Sequence, residues 1–370
     1  MKQSLKLFQK SLTEQGLDFT FINNPENIAY LTDYQSEPHE RIVALLVFPE
    51  SDPILFVPEL ERTEVDALNW PYGLLSYQDH QNPWEIIFSA VGSVCANHSV
   101  TEFGIETDHL IVDRYFSLTK QYPQTTTYNI SPILTNQKVI KTDQEIKLMK
   151  QAGNYADKAL EIGIDSLRLG ITEAEVVAEI EYQLKKLGIS QMSFSTEVLF
   201  GDHAASPHGI PGGRALKKNE FVLMDLGVVF EGYTSDITRT VFFGEPSPEE
   251  KDLYRIVLNA QENALANCTP GVTASSLDFY ARSIITQSGL GEYFNHRLGH
   301  GIGMSVHEFP NIMTGNDYEL KEGMCFSIEP GIYIPDKVGI RIEDCLYLTK
   351  SGHETFTNFQ KDPLLLISIK

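Results

Sequence analysis

Phe221-Val222-Leu223-Met224-Asp225-Leu226-Gly227-Val228-Val229-Phe230, then Glu231-Gly232, then Tyr233-Thr234-Ser235-Asp236-Ile237-Thr238-Arg239-Thr240, reads as a β-hairpin. β-Branched and aromatic residues fill both arms, and Glu231-Gly232 supplies a two-residue turn. With that turn, position 227 faces 236 and 225 faces 238, so Asp225 and Asp236 share a face as diagonal neighbours. Diagonal cross-strand positions lie about 7–8 Å apart at the backbone, near enough for two carboxylates to hold cations between them.

A second stretch repeats the device. In Phe326-Ser-Ile-Glu329-Pro-Gly-Ile-Tyr-Ile334 and Gly339-Ile-Arg341-Ile-Glu343-Asp344, Glu329 and Glu343 stand seven residues either side of Asp336. A hairpin centred there sets the two glutamates opposite each other. Four carboxylates converging inside a domain would repel and cost several kcal/mol each to desolvate, on the order of the penalties for buried unpaired charge, unless cations compensate. Between the hairpins runs His296-Arg-Leu-Gly-His300-Gly-Ile-Gly-Met-Ser-Val-His307-Glu308, and His203 and His208 precede the first. The glycines around His300 are expected to let the backbone approach a ligand closely. One imidazole with four carboxylates is a hard, oxygen-rich set that favours Mn²⁺ and related ions over structural zinc. Two such ions roughly 3.5–4 Å apart would share a bridging water, lower its pKa and clamp the oxygen of a scissile carbonyl.

Each element alone has an ordinary role. A single Asp in a strand is usually an edge or turn residue, and Gly299-x-Gly301-x-Gly303 lacks the following helix that a nucleotide loop needs. The joint pattern of two acid-bearing hairpins and a glycine-flanked His is what points to metal.

The two hairpins belong to a longer repeat. Gly170-Ile171-Thr172 opens a helix ending at Gly188, and Gly271-Val272-Thr273 opens one ending at Gly289, both offset by 101 residues (271 − 170 and 289 − 188). A further long helix precedes each. Thr142-Asp-Gln-Glu145 is a capping box opening the first, which runs towards Asp165, and Ser247-Pro248-Glu-Glu250 caps the other, with Pro at the first helical position. A two-fold α/β repeat would put a shared pocket on its pseudo-symmetry axis. Upstream, from Asp18 to Ile130, apolar runs at Phe19–Ile22, Ile42–Phe48 and Ile54–Val57 alternate with helical stretches such as Asn82–Cys95, as in a small α/β domain. The boundary is expected near Gln137–Lys141, giving domains 1–137 and 138–370. At 370 residues the chain exceeds one ordinary core.

A net charge of −21 excludes a nucleic-acid groove or an anionic membrane as partner, since both demand a basic patch. No apolar run approaches the ~20 residues of a membrane span. Met1–Gln15 has helical spacing rather than the apolar core of a secretory signal, so a cytoplasmic location is expected. The four cysteines have no C-x-x-C spacing and are read as reduced and buried.

The segments Leu226-Gly-Val, Thr234-Ser-Asp236-Ile-Thr-Arg-Thr, His300-Gly-Ile-Gly-Met-Ser-Val-His307-Glu308, Glu329-Pro-Gly-Ile-Tyr and Ile340-Arg-Ile-Glu343-Asp344 resemble the creatinase/prolidase/methionine aminopeptidase family with its pita-bread fold. The resemblance covers Thr142–Lys370. Within the family the chain is similar to Xaa-Pro dipeptidases (prolidases) of Gram-positive bacteria, and Pro38-His39-Glu40-Arg41 and Asp52-Pro53-Ile-Leu-Phe56 extend the likeness upstream. The resemblance implies an α/β (α+β) chain, with a creatinase-like domain before a pita-bread catalytic domain. It implies two divalent ions, Mn²⁺ foremost with Co²⁺ or Zn²⁺ as alternatives, held by Asp225, Asp236, His300, Glu329 and Glu343. Asp236 and Glu343 would bridge them. It implies hydrolysis of Xaa-Pro dipeptides by attack of the bridging hydroxide on the carbonyl before proline, Glu329 relaying the proton to the leaving nitrogen. His208 and His307 would stabilise the oxyanion and hold substrate. Arg341 would orient the carboxylates or bind substrate, and His296 would assist. Some prolidases read the proline carboxylate with an Arg where this chain has Asn311, so Arg297 is expected to take that duty. The family also suggests a homodimer, in which the loop bearing His39 would lid the partner's site. The rival readings are an aminopeptidase P acting on longer Xaa-Pro peptides and a non-catalytic binding member of the fold.

Overall fold

Apolar runs buried on both sides build the sheet of the N-terminal unit. The computed structural model describes residues 2–361, and the chain forms two compact units, Met1–Gln137 and Lys138–Lys370. Residue 1 and residues 362–370 of the expected ranges lie outside the described residues. In the first unit six strands are ordered Gly73–Tyr77, Ile54–Pro58, Ala44–Val47, Phe19–Ile22, Glu102–Ile105, Thr126–Asn129. Leu45, Val47, Leu55 and Val57 point into one core, while Ala44, Leu46, Phe48 and Phe56 point into another. The runs are therefore continuous rather than alternating, as befits a sheet covered on both faces. Helix Pro83–Val94, capped by Asn82, covers one of them.

In the second unit the repeat appears as two helix pairs. Asp143–Ser166 and Glu173–Lys186 form the first pair, Pro248–Ala266 and Ala274–Gln287 the second. Thr142 with Glu145, Thr172 with Glu175 and Ser247 with Glu250 all close capping boxes. Gly170 and Gly271, at φ +84° and +94°, stand at matching places before the shorter helices, in a left-handed conformation that suits glycine. Each pair packs on its own core, one within residues 152–243 and the other dominated by residues 253–348.

Both hairpins take the expected register. Phe230 pairs with Tyr233 and Val229 with Thr234 around the Glu231-Gly232 turn, both turn residues having positive φ (49° and 81°). Beyond a break at Gly227 and Asp236 the same register resumes with Leu226 opposite Ile237 and Asp225 opposite Thr238. The second hairpin pairs Gly331 with Arg341 through Ile334 with Val338, and Ile328 pairs with Asp344 further out. Glu329 and Glu343 fall in the gap between those two ladders, opposite each other by register. Asp236, Glu329 and Glu343 thus sit where the ladders are interrupted, whereas Asp225 lies within regular pairing, opposite Thr238 on one side and Glu197 on the other.

The two copies join along strand Ile237–Phe243. The Glu343 N–H donates to the Thr238 carbonyl (3.0 Å), Thr240 Oγ1 donates to the Arg341 carbonyl (2.9 Å), and the Arg341 N–H returns to Thr240 Oγ1 (3.1 Å). Buried Arg239 grips this seam from behind, donating to the carbonyls of Thr238 and Glu343 and to Asp344 Oδ1 (2.7 Å).

Candidate metal centre

At the seam, ligand atoms of Asp236, His300 and Glu343 lie within 4.8 Å of one another, and all three residues are buried. His300 Nε2 is 3.6 Å from Asp236 Oδ2 and 3.2 Å from Glu329 Oε1. The His300 backbone N–H donates to Ser327 Oγ, which donates to Glu329 Oε1 (2.9 Å), so one hydroxyl couples the strand Gly299–Gly301 to the glutamate. Asp225 lies at the same cavity and is tied to Arg341.

The glycines flanking His300 serve a different purpose from the one expected. A Cβ on Gly299 would lie 1.9 Å from the Ser327 carbonyl oxygen, and one on Gly301 would lie 2.1 Å from that of Phe309. They admit neighbouring backbone rather than a ligand, and so let His300 sit in a tightly packed strand.

Electrostatics make this cluster unsatisfactory by itself. Burial, and then the charge of Glu343, Asp225 and Glu329, pushes the Asp236 carboxyl well above the usual carboxylate range. Burial, and then Glu329 and Asp225, does the same to Glu343. Burial also raises Glu329, but its hydrogen bond to His300 and the charges of His300, His296 and Arg341 outweigh that and hold it at about 2. Asp225 Oδ1, Asp236 Oδ1 and Glu343 Oε1 are buried without a hydrogen-bond partner. Orphaned buried carboxylate oxygens are costly, and a divalent cation is the species that satisfies several at once. The donor set fits metal.

A cavity of about 700 Å³ opens onto these groups and is lined also by His208, His296, Arg297, His307 and Arg341. Arg341 is the hub of its floor. It donates to Asp225, to Tyr333 OH (2.7 Å) and to Thr238 Oγ1 (3.0 Å), and Thr238 Oγ1 donates to Glu343 Oε2 (2.7 Å). His296 uses both ring nitrogens, one with the Arg297 carbonyl (2.7 Å) and one with Tyr333 OH (3.1 Å). Arg297 donates to the Asn311 side-chain oxygen. The His307 ring stands edge-on to His300 with centroids 4.2 Å apart, and burial, then His300 and Arg297, pushes its pKa down to about 4. His208 is at the rim with its side chain 97% exposed. His39 belongs to the other unit, where it is exposed with a left-handed backbone (φ 53°).

Three further residues enter the site that the residue pattern had not signalled. Glu197 faces Asp225 across paired strands, lies 3.4 Å from Arg341 Nη2, and is pushed up to about 7 by burial and by Asp225. Thr238 and Tyr333 join Arg341 to the acids and to His296. Both lie inside the acid-bearing hairpins and their role follows from register, whereas Glu197 comes from a strand with no distinctive motif.

A two-fold repeat whose seam gathers buried carboxylates and an imidazole defines the class of a pita-bread metalloenzyme. Residues 147–350 match the model of metallopeptidase family M24 and residues 5–140 that of the creatinase/prolidase N-terminal domain. The chain belongs to metallopeptidase family M24. It is 44% identical over 369 residues to the Xaa-Pro dipeptidase of Lactobacillus helveticus, covering 99% of this chain and 100% of that protein. The crystal structure of recombinant prolidase from Thermococcus sibiricus superposes with a TM-score of 0.92 at 33% identity, over 98% of this chain and 99% of that one. An X-Pro aminopeptidase from Thermotoga maritima superposes with a TM-score of 0.84 at 30% identity, over 94% and 97%.

Proposed function

We propose that the chain is a dinuclear metallopeptidase that hydrolyses Xaa-Pro dipeptides. The observation that carries the metal chemistry is the set of three buried, unpartnered carboxylate oxygens on Asp225, Asp236 and Glu343 beside His300. Its relatives' names supply the substrate class. Asp225, Asp236, His300, Glu329 and Glu343 would hold the pair of ions, with Mn²⁺ favoured by the oxygen-rich set and Co²⁺ or Zn²⁺ as alternatives. When bound, such ions polarise the scissile carbonyl and make water nucleophilic at neutral pH.

The chain's own groups do the rest. Glu329, steadied by Ser327, accepts a proton from the attacking water and delivers it to the proline nitrogen as the C–N bond breaks. His307, with its lowered pKa, is a neutral imidazole at pH 7 whose N–H can donate to the developing oxyanion, as can His208 at the rim. Arg341 orients Asp225 and, through Thr238, Glu343. His296 supports Tyr333 and Arg297 from behind. Arg297 reads the free carboxylate of the substrate.

Leu-Pro, an Xaa-Pro-containing tripeptide and a proline-free dipeptide, each with Mn²⁺ and with chelator, separate the readings. Cleavage of Leu-Pro alone, abolished by chelator, is expected. Preference for the tripeptide would make the enzyme an aminopeptidase P, a reading favoured by the likeness to the Thermotoga maritima X-Pro aminopeptidase. Cleavage of none would point to a binding member of the fold. The reading includes a homodimer whose His39 loop acts on the partner's substrate. Sedimentation at twice the monomer mass, with altered dipeptide selectivity in His39→Ala, is expected; a monomer, or an unaltered variant, would remove this part.

A further inference from the structure

His208 sits on a loop whose stems are tied and whose tip is bare. The loop leaves strand Glu197–Phe200, passes through the 3₁₀ turn Gly201–Ala205, and returns at Gly212. At its tip the His208 side chain is 97% exposed and Ile210 is 84% exposed. A histidine that must meet a substrate atom from such a tip depends on what fixes the stems.

One carboxylate does this. Glu173 opens the helix Glu173–Lys186 and is fully buried. Its Oε1 accepts from the Phe200 N–H (2.9 Å), and its Oε2 accepts from the Gly212 N–H (3.1 Å). His203 Nδ1 lies 2.8 and 2.9 Å from the two oxygens, so both stems and a side chain between them converge on a single group. The other face of that imidazole backs the tip, since a Cβ on Gly209 would lie 3.3 Å from His203 Nε2. The helix N-terminus adds two more ties, Glu173 N–H to the Arg214 carbonyl (3.2 Å) and Ala174 N–H to that of Gly212 (3.1 Å). Arg214 then clamps Asp202 (2.6 Å) and Glu220 (2.8 Å). Along the same turn, a Cβ on Gly339 would lie 1.7 Å from the Ala204 carbonyl oxygen, so the turn is packed against the strand that carries Arg341.

We infer that Glu173 is a positioning residue for the reaction, a buried carboxylate that fixes the His203–Gly212 loop so that His208 is presented to substrate. The inference rests on the reading of His208 under the proposed function. An amide in place of this carboxylate has a single accepting oxygen and turns an NH₂ towards an N–H, so Glu173→Gln breaks the clasp at nearly constant volume. A group that only supports the fold would lower activity through stability. One that acts through His208 must lose its effect once His208 is gone.

The test is a double-mutant cycle on the full-length Mn²⁺-loaded protein, with kcat/KM for Leu-Pro measured in the parent, E173Q, H208A and the double variant. E173Q is expected to lower kcat/KM roughly tenfold or more, within the loss that a small misplacement of an active-site group can cause. The loss should vanish in the H208A background, with metal content unchanged and any fall in Tm the same with or without His208. Amide hydrogen exchange over residues 203–212 should quicken in E173Q. Additive losses, or parental kinetics in E173Q, would overturn the inference. If E173Q does not fold, His203→Ala removes the shared partner and carries the same cycle. If the parent fails to cleave Leu-Pro, the functional reading falls, and exchange still decides the clasp: unchanged protection of 203–212 in E173Q would overturn it independently.

Discussion

Arg297 shows how a residue's partner decides what it is free to do. Its hydrogen-bond partner is the neutral amide of Asn311, so the guanidinium keeps its charge while it lines the cavity. A carboxylate in the same place would have spent that charge internally. Arg297→Ala is expected to raise KM for a dipeptide roughly 10- to 100-fold, the range for a lost charge-assisted hydrogen bond, with metal content unchanged. Steady-state kinetics with metal analysis decides it, and an unchanged KM would sink the role. The acids and His300 were legible in the sequence because carboxylates grouped on one buried face repel one another unless a cation joins them. Glu197, Thr238 and Tyr333 were not, since a Glu, a Thr or a Tyr in a strand is commonplace until its neighbour is known.

The hairpins are the elements that aim the acids, and their turns set the register. Glu231 holds φ 49° before Gly232 at 81°, the geometry of a two-residue turn in which both positions favour left-handed residues. A glutamate there is strained relative to asparagine. Glu231→Asn is expected to stabilise the protein by up to about 1 kcal/mol without altering metal affinity. Urea unfolding with metal titration checks it, and a destabilised variant would show that the Glu231 side chain contributes elsewhere. Turn chemistry and strand alternation are local, which is why both registers and the capping boxes could be read in advance. The reason for Gly299 and Gly301 could not, because it depends on the carbonyls of Ser327 and Phe309 coming within reach.

Across the catalytic unit, long-range buried pairs hold the segments that carry the site. Lys141 Nζ lies 2.8 Å from Glu308 Oε2 with both side chains almost wholly buried, and Glu308 also accepts from the Met304 and Ser305 N–H groups of the loop leading to His307. Burial alone would raise Glu308, but the charges of Lys141 and Lys138, the Lys141 hydrogen bond and the Ser305 N–H together outweigh it and the net shift is downward; Lys141 is shifted upward against its own burial, chiefly by the charge and hydrogen bond of Glu308. The pair's contribution is therefore present across neutral pH. It is lost in acid as pH falls through the depressed Glu308 value, and in strong base as pH rises through the raised Lys141 value. Lys141→Met leaves a buried carboxylate unpaired and is expected to cost about 3–5 kcal/mol at pH 7, with the loss shrinking in acid. The double variant with Glu308→Leu should recover part of it. Thermal unfolding against pH checks both, and a pH-independent loss would show that packing rather than charge is responsible. The sequence by itself determined what is local or periodic: strands and helices, caps, turn register, the 101-residue offset of the repeat, and the residues chemically suited to metal. Only the tertiary structure decided what joins distant segments, such as the Glu343–Thr238 bond across the seam, the Arg341 hub and the Glu173 clasp. Such contacts carry no period and no short-range signature, since they exist only once two cores have folded and brought their edges together.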